Sequence, residues 1–471
     1  MSPSMGSAMV TALRRIGFTL ACLLTVPAIA LDGEYDPRFG NYLPARTLVQ
    51  PLADHHGMAW SMAVLPDGRL LLGGDALVLR LGASGLPDPA FGNSAFGVAG
   101  VFALQPFGPQ TGFLQPEAIL RQADGRLLIV GSAEATDFRH QPVACRTSAD
   151  GVLDETYGDA GCSAYVVEQG REATVGAAAL DASGRLVLAI DGAFTFGDRI
   201  VMVRLLGDGA LDTTWGTNGR TVILRFDELA GGGTYQQPYG LAIDAQGRAI
   251  VVGDSGPANS HDFAIARLGT DGFLDPSFGD GGVRVVDFAG QLQTDVAYAV
   301  AVQRSGRILV GGYASFAGTQ PGMALLALTD AGDADAEFGN LAGRTVVWPV
   351  ATSAYAMATG LAVQNDGRIV LGGYAQNPAD GGAAAQDMVV LRLHADGTGP
   401  DASFANAGVF TAGFDLGVPG DTSRDDRVHA IGLQANRVVA VGGAADDWPH
   451  AWYSAIRLTE DHLFADGVEA P

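Results

Sequence analysis

The chain has no lysine, and charged residues of any kind make up only 17% of its 471 residues. All 28 basic side chains are therefore arginine, and 51 acidic ones outnumber them, which gives a formal net charge of -23. A surface this acidic repels phosphate backbones and anionic lipid headgroups. Nucleic acid and peripheral membranes are thus not expected as partners, and the acidic surface favours a soluble monomer.

Long apolar runs are also scarce, and the one that exists lies at the start of the chain. Arg14 and Arg15 precede an apolar run over residues 16–26, and small residues follow up to Ala30. This order is typical of a signal peptide over residues 1–30. Beyond it, no stretch reaches the ~18 apolar residues of a membrane-spanning helix. We predict export to the periplasm or the extracellular space, with no membrane insertion after cleavage.

Cysteine is the third scarcity, since the chain has only three. One lies in the predicted signal peptide, which leaves Cys145 and Cys162 in the exported protein. An oxidising compartment favours a disulfide between an even pair. The repeat described next places the two residues on neighbouring strands, so we predict that they are bonded. No histidine pattern supports the alternative, a catalytic thiol.

What the chain has in abundance is glycine, 66 residues, much of it within a repeat. In the clearest unit, residues 359–414, two apolar runs flank the turn Asn365-Asp366-Gly367. Apolar runs joined by Asp-Gly predict a β-hairpin with a type I′ turn. The turn recurs at Gly68, Gly125, Gly184, Gly247, Gly306 and, with asparagine in place of glycine, at Asn436.

Two further strands complete each unit, at residues 387–393 and 408–414 in the same example. Between these two strands the sequence has a motif that consists of Asp, two further residues, an aromatic residue and usually Gly. This motif occurs seven times, and so does the hairpin, but the first motif, at Asp36, precedes every hairpin, and the last hairpin has no motif after it. The pattern predicts one domain over residues 31–471, a seven-bladed β-propeller with four-stranded blades. Residues 31–50 would supply the outer strand of the last blade, and 360–364 and their equivalents the inner strands.

Arginine, aspartate and an aromatic recur with the strands. We interpret each third-strand arginine as a structural partner of the motif aspartate, because a guanidinium suits a carboxylate geometrically and a functional site seldom repeats in every blade. The aromatics are expected to pack between blades. The arginines are Arg80, Arg146, Arg204, Arg267, Arg392 and Arg457, the aspartates Asp36, Asp88, Asp154, Asp212, Asp275, Asp335 and Asp401, and the aromatics Phe39, Phe91, Tyr157, Trp215, Phe278, Phe338 and Phe404.

These motifs resemble the delta-60 repeat, a family of tandem units in exported bacterial proteins. The resemblance rests on Asp-Gly-Arg before an apolar run ending in Gly-Gly, on Arg-Leu-x-x-Asp-Gly, and on the stretch at residues 274–282, and it covers nearly the whole mature chain. Departures are Ala405 for the motif glycine and Ala327 for the third-strand arginine. The resemblance implies a β-propeller but no catalytic residue.

Two stretches imitate functional motifs. Residues 253–257 look like the nucleophile segment of trypsin-like serine proteases, but their place in the repeat already accounts for them, and the family's histidine segment is missing. Asp330, Asp333, Asp335 and Glu337 alternate like ligands of a hard cation, although Asp335 belongs to the repeat. No cofactor and no metal ligand is predicted, and calcium in acidic loops stays an alternative.

The connections from the second to the third strand, and from the fourth to the next blade, vary in length and emerge on one face. Variable loops on a rigid frame commonly carry function. We therefore predict that a ligand binds on this face at the mouth of the central channel. The candidate residues in these loops are Tyr235, Tyr239, Tyr374, Asp421, Arg424, Trp448, His450 and Trp452.

Two hypotheses for function remain open. The first is an exported non-enzymatic propeller, a scaffold or a binding protein for a protein or glycan of the envelope or extracellular space. The second is a metal-dependent, lactonase-like propeller hydrolase with carboxylates at the channel mouth. The inner strands, as assigned, offer mostly alanine, leucine and valine with Arg121 as their one charge. This composition favours the first hypothesis.

Overall fold

The computed structural model describes most of the chain beyond the predicted signal peptide, and every statement below concerns the described part. No helix in it is long and apolar enough to cross a membrane. The described residues are 32–41, 45–50, 57–95, 98–109, 111–194, 197–223, 235–257, 260–288, 293–316, 319–350, 354–376, 385–414, 425–447 and 450–460.

All the named elements of this part of the chain are β-strands. The two middle strands of a blade read as nearly continuous apolar runs, because neighbouring blades cover both of their faces. The strands are β1 (Arg46–Val49), β2 (Ser61–Val64), β3 (Leu70–Gly74), β4 (Leu77–Leu81), β5 (Val101–Phe102), β6 (Gln115–Arg121), β7 (Leu127–Glu134), β8 (His140–Thr147), β9 (Cys162–Ala164), β10 (Ala173–Leu180), β11 (Leu186–Phe194), β12 (Gly197–Leu205), β13 (Arg220–Ile223), β14 (Tyr235–Ile243), β15 (Ala249–Gly256), β16 (Asp262–Leu268), β17 (Val283–Val286), β18 (Val296–Val302), β19 (Ile308–Ala314), β20 (Gly322–Leu328), β21 (Arg344–Val347), β22 (Ala356–Val363), β23 (Ile369–Gln376), β24 (Gln386–Leu393), β25 (Val409–Ala412), β26 (Asp426–Gln434), β27 (Arg437–Asp447) and β28 (His450–Arg457).

The strands form seven antiparallel sheets of four, which are the blades of a propeller. Blade 1 is β2 to β5, and each following group of four makes the next blade up to blade 6, β22 to β25. Blade 7 consists of β26, β27 and β28 with β1 as its outer strand. The predicted fold is confirmed. The core lies between blades: one buried cluster, for example, joins Met202 of blade 3 to Val251 of blade 4.

The ring closes at two levels between the ends of the chain. Strand β1 pairs antiparallel with β28, with Thr47 opposite Ala455. The turn before β1 is also shared, because the Gly33 amide donates to the Thr459 carbonyl at 3.0 Å and the Thr459 amide to the Glu34 carbonyl at 2.8 Å. The two ends of the propeller therefore meet inside one turn of blade 7. Closure pairs the edge of β28 that would otherwise be free, so blade 7 has four strands like the others.

The hairpin turns correct one sequence prediction. In six blades the glycine alone has a positive φ, such as 82° at Gly68, and its amide donates to the Leu65 carbonyl at 2.9 Å. This is a type I turn followed by a left-handed residue, not the predicted type I′ turn. Blade 7 does have the type I′ turn, since Ala435 and Asn436 have φ values of 48° and 68°.

The arginine and aspartate of each repeat pair as expected. In the six blades with a third-strand arginine, its Nε lies 2.8 to 3.0 Å from the motif carboxylate. The same guanidinium reaches the next blade: Arg146 Nη1 donates to the Gly207 carbonyl at 2.6 Å, and Arg457 Nη1 to the Ala83 carbonyl at 2.7 Å. One side chain thus joins the third strand of its blade both to the turn that follows this strand and to the neighbouring blade.

The motif aromatic forms the second part of this joint. Trp215 packs against Gly272 in the turn of the next blade, where a Cβ would lie 2.5 Å from the indole ring. The third-strand arginine lies over the other side of the aromatic, 5.4 Å from the ring centroid for Arg204 and Trp215. A backbone bond completes the joint, from the Gly216 amide to the Asp271 carbonyl at 2.7 Å. Inter-blade packing of the aromatics is confirmed.

A disulfide links two strands of blade 2. Cys145 of β8 lies directly opposite Cys162 of β9, and their sulfur atoms are bonded. Cys145 is fully buried in the cluster between blades 1 and 2. The bond therefore fixes the outer strand, which has only three residues, to the body of its blade.

Candidate functional site

The loop residues predicted from the sequence fall into three groups. Asp421, Arg424 and Trp448 lie outside the described residues. The backbones of Tyr235 and His450 begin β14 and β28, on the face that carries the long connections. The remaining three, Tyr239, Tyr374 and Trp452, have described side chains and are all partly exposed.

Tyr239 and Tyr374 lie at the channel mouth on that face, and Trp452 lies further out. Tyr239 belongs to the innermost strand of blade 4, and Tyr374 lies near the end of the second strand of blade 6. Trp452 lies in a third strand, opposite Ala444. The three residues are thus not brought together into one site.

Six of the seven innermost strands have a β-bulge near the mouth. In blade 5 the extra residue is Tyr298, between Ala297 and Ala299, and five other blades have a bulge at the same place. Blade 1 places Trp60 there, with its amide donating to the Gly73 carbonyl at 2.8 Å. A bulge re-aims a side chain out of the regular alternation and is frequent beside functional sites. The seven residues, which we call the mouth ring, are Trp60, Glu117, Gly176, Tyr239, Tyr298, Thr359 and His429.

The mouth ring overturns one argument from the sequence. The innermost strands begin three to five residues earlier than predicted in six blades, and they carry Glu117, Asp426, Arg427 and His429 in addition to Arg121. The assignment of a nearly uncharged inner surface was wrong, because it began after the bulge. The only sequence signal is a variable residue placed just before a constant small one in every repeat.

Aromatic side chains occupy the mouth from blade 4 to blade 6. The rings of Tyr239 and Tyr298 lie 4.8 Å apart, and those of Tyr298 and Tyr313 lie 6.1 Å apart. In blade 6, Tyr355 and Tyr374 lie 6.5 Å apart at a right angle. These five side chains, which we call the aromatic arc, lie on one side of the mouth, and all of them are partly exposed.

Polar groups accompany the aromatic arc at both ends. The Tyr239 hydroxyl donates to Gln237 Oε1 at 2.6 Å, and Gln237 Nε2 donates to Asp191 Oδ2 at 3.4 Å. At the other end the Arg427 guanidinium lies 5.0 Å from the centroid of the Tyr374 ring. The arc is therefore held in place by hydrogen bonds and a cation–π contact across three blades.

Carboxylates continue around the mouth from blade 4 back to blade 1. Asp75, Asp191 and Asp254 hold equivalent positions near the ends of the second strands of blades 1, 3 and 4, and Glu117 belongs to the mouth ring in blade 2. Enclosure by the surrounding blades, together with the Asp75 charge, raises the pKa of Glu117 to about 7, although its side chain reaches solvent. Sequence reasoning missed all four residues.

His429 is the basic member of the mouth ring. Its imidazole lies 4.3 Å from the Trp60 ring, between blades 7 and 1. Burial and the nearby Arg427 charge lower its pKa to about 4. The imidazole is therefore neutral at physiological pH, and the cationic group of this part of the mouth is Arg427.

The protease-like stretch at residues 253–257 forms no catalytic triad. Asp254 Oδ2 lies 2.5 Å from His261 Nδ1, a contact that resembles half of a triad. Ser255, however, is adjacent to Asp254 on a strand, so its side chain projects from the opposite face of the sheet. Its hydroxyl is buried and makes no hydrogen bond among the described residues. The structure agrees with the repeat as the origin of this motif.

An acidic cluster lies at the rim between blades 4 and 5. Oxygens of Asp262, Asp287 and Asp295 lie within 4.8 Å of one another. Both Asp295 oxygens accept backbone hydrogen bonds, from Phe288 and Ser315, each at 2.9 Å. Burial, with the charge of neighbouring carboxylates, raises the pKa of Asp262 and of Asp295 to about 6. The hydrogen bonds of Asp295 fix the connection between the two blades, and repulsion among the three carboxylates disfavours their charged forms.

Two carboxylates of the acidic stretch considered for calcium pair with arginines. Asp335 Oδ2 accepts a hydrogen bond from Arg307 Nε at 2.7 Å, and Asp330 pairs with Arg248. These carboxylates serve the joints between blades, as the repeat requires.

Open cavities lie on the opposite face, and two of them are found among the short hairpin turns. One, of about 530 Å³, lies between blades 7 and 1 and includes Gln434 and Arg457. The other, of about 550 Å³, lies between blades 5 and 6 and includes Arg304 and Asn365. Arg457 is already paired with Asp36, so the first cavity is lined by joint residues. Neither has the aromatic surface found at the mouth.

Comparison with known proteins agrees with the fold. A family model described as "Domain of unknown function (DUF5122) beta-propeller" matches residues 65–91, 247–278 and 364–404. The chain carries β-propeller repeats. The matches fall on the hairpin-to-motif stretches of blades 1, 4 and 6. No curated protein matches the sequence.

Several solved structures are similar in fold at low identity. The polysaccharide lyase Uly1 has 11% identity and a TM-score of 0.49, over 92% of this chain and 98% of that one. A glucose dehydrogenase has 13% identity and a TM-score of 0.39, over 88% and 99%. A protein of unknown function from Dyadobacter fermentans has 12% identity and a TM-score of 0.41, over 88% and 97%. These likenesses carry no functional argument.

Proposed function

We propose that this protein is a non-enzymatic binding protein whose channel mouth binds a carbohydrate. The observation that carries the proposal is the aromatic arc, which presents tyrosines from three successive blades on one side of the mouth. The arc combines neighbouring, partly exposed rings with the polar groups of Gln237 and Arg427.

The chemistry of a sugar matches such a surface. A pyranose has an apolar face of C–H groups and a rim of hydroxyl groups. Tyrosine rings supply flat apolar area at little conformational cost, and their hydroxyls bind polar groups. Tyr239 and Tyr298 form a stacked pair beside Gln237, whose amide can exchange hydrogen bonds with hydroxyl groups. The spread over three blades suits an oligosaccharide better than a single sugar.

The partners of the mouth carboxylates support binding over catalysis. Hydrolysis of a glycoside needs two carboxyl groups facing one bond, and a metal-dependent hydrolase needs several ligands around one ion. Here Asp75 accepts hydrogen bonds from the Met58 amide and Trp60 Nε1, and Asp254 contacts His261. These groups hold the mouth in shape, and Glu117 is left alone in its blade.

We also propose that the protein is exported and that its repeats belong to the delta-60 family. The arginine-apolar-small order of residues 1–30 and a disulfide in blade 2 support export. Expression with the native leader, followed by N-terminal sequencing of the cell-free or periplasmic fraction, tests this. A chain that starts at Leu31 is expected, and an uncleaved chain in the cytoplasm would contradict it.

Carbohydrate binding is tested by titrating the full chain with a panel of neutral and charged polysaccharides and oligosaccharides. Tyr298→Ala removes the central ring of the arc, while Tyr298→Phe keeps the ring and removes the hydroxyl. The matched control is Phe273→Ala, because Phe273 is 50% exposed in a short turn on the opposite face.

We expect Tyr298→Ala to lower the association constant for the bound glycan about tenfold or more, and Tyr298→Phe to lower it less. Phe273→Ala should bind like the wild-type protein. The proposal is overturned if no saccharide of the panel binds, or if Tyr298→Ala binds as tightly as the Phe273→Ala control.

A further inference from the structure

We propose that the mouth also contains a subsite for a primary ammonium group, formed by Trp60 and Glu117, so that the bound saccharide carries a free amine. This inference rests on the proposed carbohydrate binding and specifies the class of sugar. It comes from the side of the mouth opposite the aromatic arc.

Trp60 and Glu117 hold the same mouth-ring position in adjacent blades. The two inner strands approach each other closely at this level, where Ser61 Oγ donates to the Pro116 carbonyl at 3.2 Å. Ser61 follows Trp60 and Pro116 precedes Glu117, so the indole and the carboxylate leave neighbouring points of the ring. Trp60 is 43% exposed, although its ring also contacts His429.

Glu117 is a carboxylate without a partner among the described residues. No hydrogen bond or ion pair within that part of the chain reaches it, and Asp75 is the charge that acts on it. Asp75 itself is occupied, because it accepts hydrogen bonds from the Met58 amide at 2.6 Å and from Trp60 Nε1 at 3.3 Å. Of these two carboxylates, only Glu117 is therefore available to a ligand.

The neighbour of Glu117 on the other side leaves room for a ligand. The mouth ring of blade 3 has Gly176 in this position, and a Cβ there would lie only 2.0 Å from the Pro238 carbonyl oxygen of blade 4. Close approach of the two blades therefore requires glycine. As a result, no side chain covers the carboxylate from blade 3.

An ammonium group satisfies all of these features. It has three donors for the free carboxylate, it is attracted to the face of an indole, and its charge offsets that of Asp75. The acidic protein, with a net charge of -23, also attracts cations from a distance. The positive charge of an ammonium group also favours the ionised form of Glu117, which a neutral hydroxyl does not.

The test uses the full chain and two oligosaccharides of equal length, one of glucosamine and one of N-acetylglucosamine. Both are titrated by calorimetry at neutral pH and low salt into the wild-type protein, Glu117→Gln and Glu155→Gln. Glu155 is an exposed carboxylate in the connection to the outer strand of blade 2, on the opposite face, and serves as the matched control. Tyr298→Ala is titrated in parallel.

We expect the glucosamine oligomer to bind about tenfold more tightly than the acetylated one, Glu117→Gln to abolish this preference, and Glu155→Gln to keep it. Equal affinity for both oligomers, no binding of either, or a preference that survives in Glu117→Gln overturns the ammonium subsite. If Tyr298→Ala still weakens binding of both oligomers in those cases where they bind, carbohydrate binding stands and only the subsite is wrong.

Discussion

Arg307 forms an ion pair with Asp335 in the blade whose third strand has no arginine: the Nε and Oδ2 atoms lie 2.7 Å apart. Ala327 occupies the usual place of the arginine, and Arg307 approaches from the hairpin turn instead. Its guanidinium lies 5.2 Å from the centroid of the Phe338 ring, which reproduces the stacking of the other blades. The joint between blades 5 and 6 therefore keeps its chemistry with a different donor.

Arg307→Ala is expected to destabilise the protein by about 2 kcal/mol, because it leaves the Asp335 carboxylate without its arginine. The matched control is Arg185→Ala in blade 3, where Arg204 remains 2.9 Å from Asp212. That change should cost clearly less. Urea unfolding monitored by tryptophan fluorescence measures both, and equal losses would show that Arg307 has no special role.

Asp36→Ala is expected to cost about 3 kcal/mol or more. Asp36 is fully buried and pairs with Arg457, which is itself 5% exposed, so the change leaves a buried guanidinium without its carboxylate. Thermal unfolding gives the loss. Arg38→Ala removes the exposed partner of the same carboxylate and should cost under about 0.5 kcal/mol. If both variants lose the same stability, the seam is held by β1 pairing alone.

Replacement of both Cys145 and Cys162 by alanine is expected to lower the unfolding free energy by about 3 kcal/mol, since the bond closes a short loop of the unfolded chain. Reduction of the wild-type protein should lower its melting temperature, whereas the reductant should leave the variant unchanged. Mass spectrometry of the exported protein supplies a direct check. Two free thiols there would contradict the bond.

Asp262→Asn should stabilise the protein above about pH 6 and have little effect below about pH 4. The folded state raises the pKa of Asp262 from 3.8 to about 6, so between these values it binds more protons than the unfolded chain. Wild-type stability from this group therefore falls as the pH rises through that interval. The expected gain in the variant is on the order of 1 kcal/mol.

The measurement is urea unfolding at several pH values with a chelator present, so that no bound cation masks the repulsion. Asp280→Asn, an exposed carboxylate in the same blade, is the control and should show no such pH profile. A gain for Asp262→Asn that is the same at low and neutral pH would exclude charge repulsion as its cause.

The fold was predictable because every repeat contains the residues that join one blade to the next. The turn glycine, the third-strand arginine and the motif aspartate recur at fixed places, and each has one structural role that the repetition makes visible. The seam was predictable for the same reason, since a motif without a hairpin and a hairpin without a motif complement each other. The turn type was not, because Asp-Gly fits both a type I′ turn and a type I turn followed by a left-handed glycine.

The sequence predicted a ligand at the channel mouth, which stays a prediction, but it did not reveal most of the residues that line the mouth. The bulge adds one position per blade that no joint constrains, so Trp60, Glu117 and His429 share no residue type that a repeat pattern could reveal. Tyr239 and Tyr374 were found only because they border long loops. Three of the loop candidates, Asp421, Arg424 and Trp448, lie outside the described residues, and their role stays a prediction.

The shared turn of blade 7 sets the order in which the molecule can be completed. Gly33 precedes every hairpin and Thr459 follows the last one, and the two residues hold one turn together. Blade 6 also depends on this segment, because Phe404 packs against Gly33. The middle blades can therefore form on their own residues, whereas the ring closes only when the segment before β1 and the segment after β28 meet.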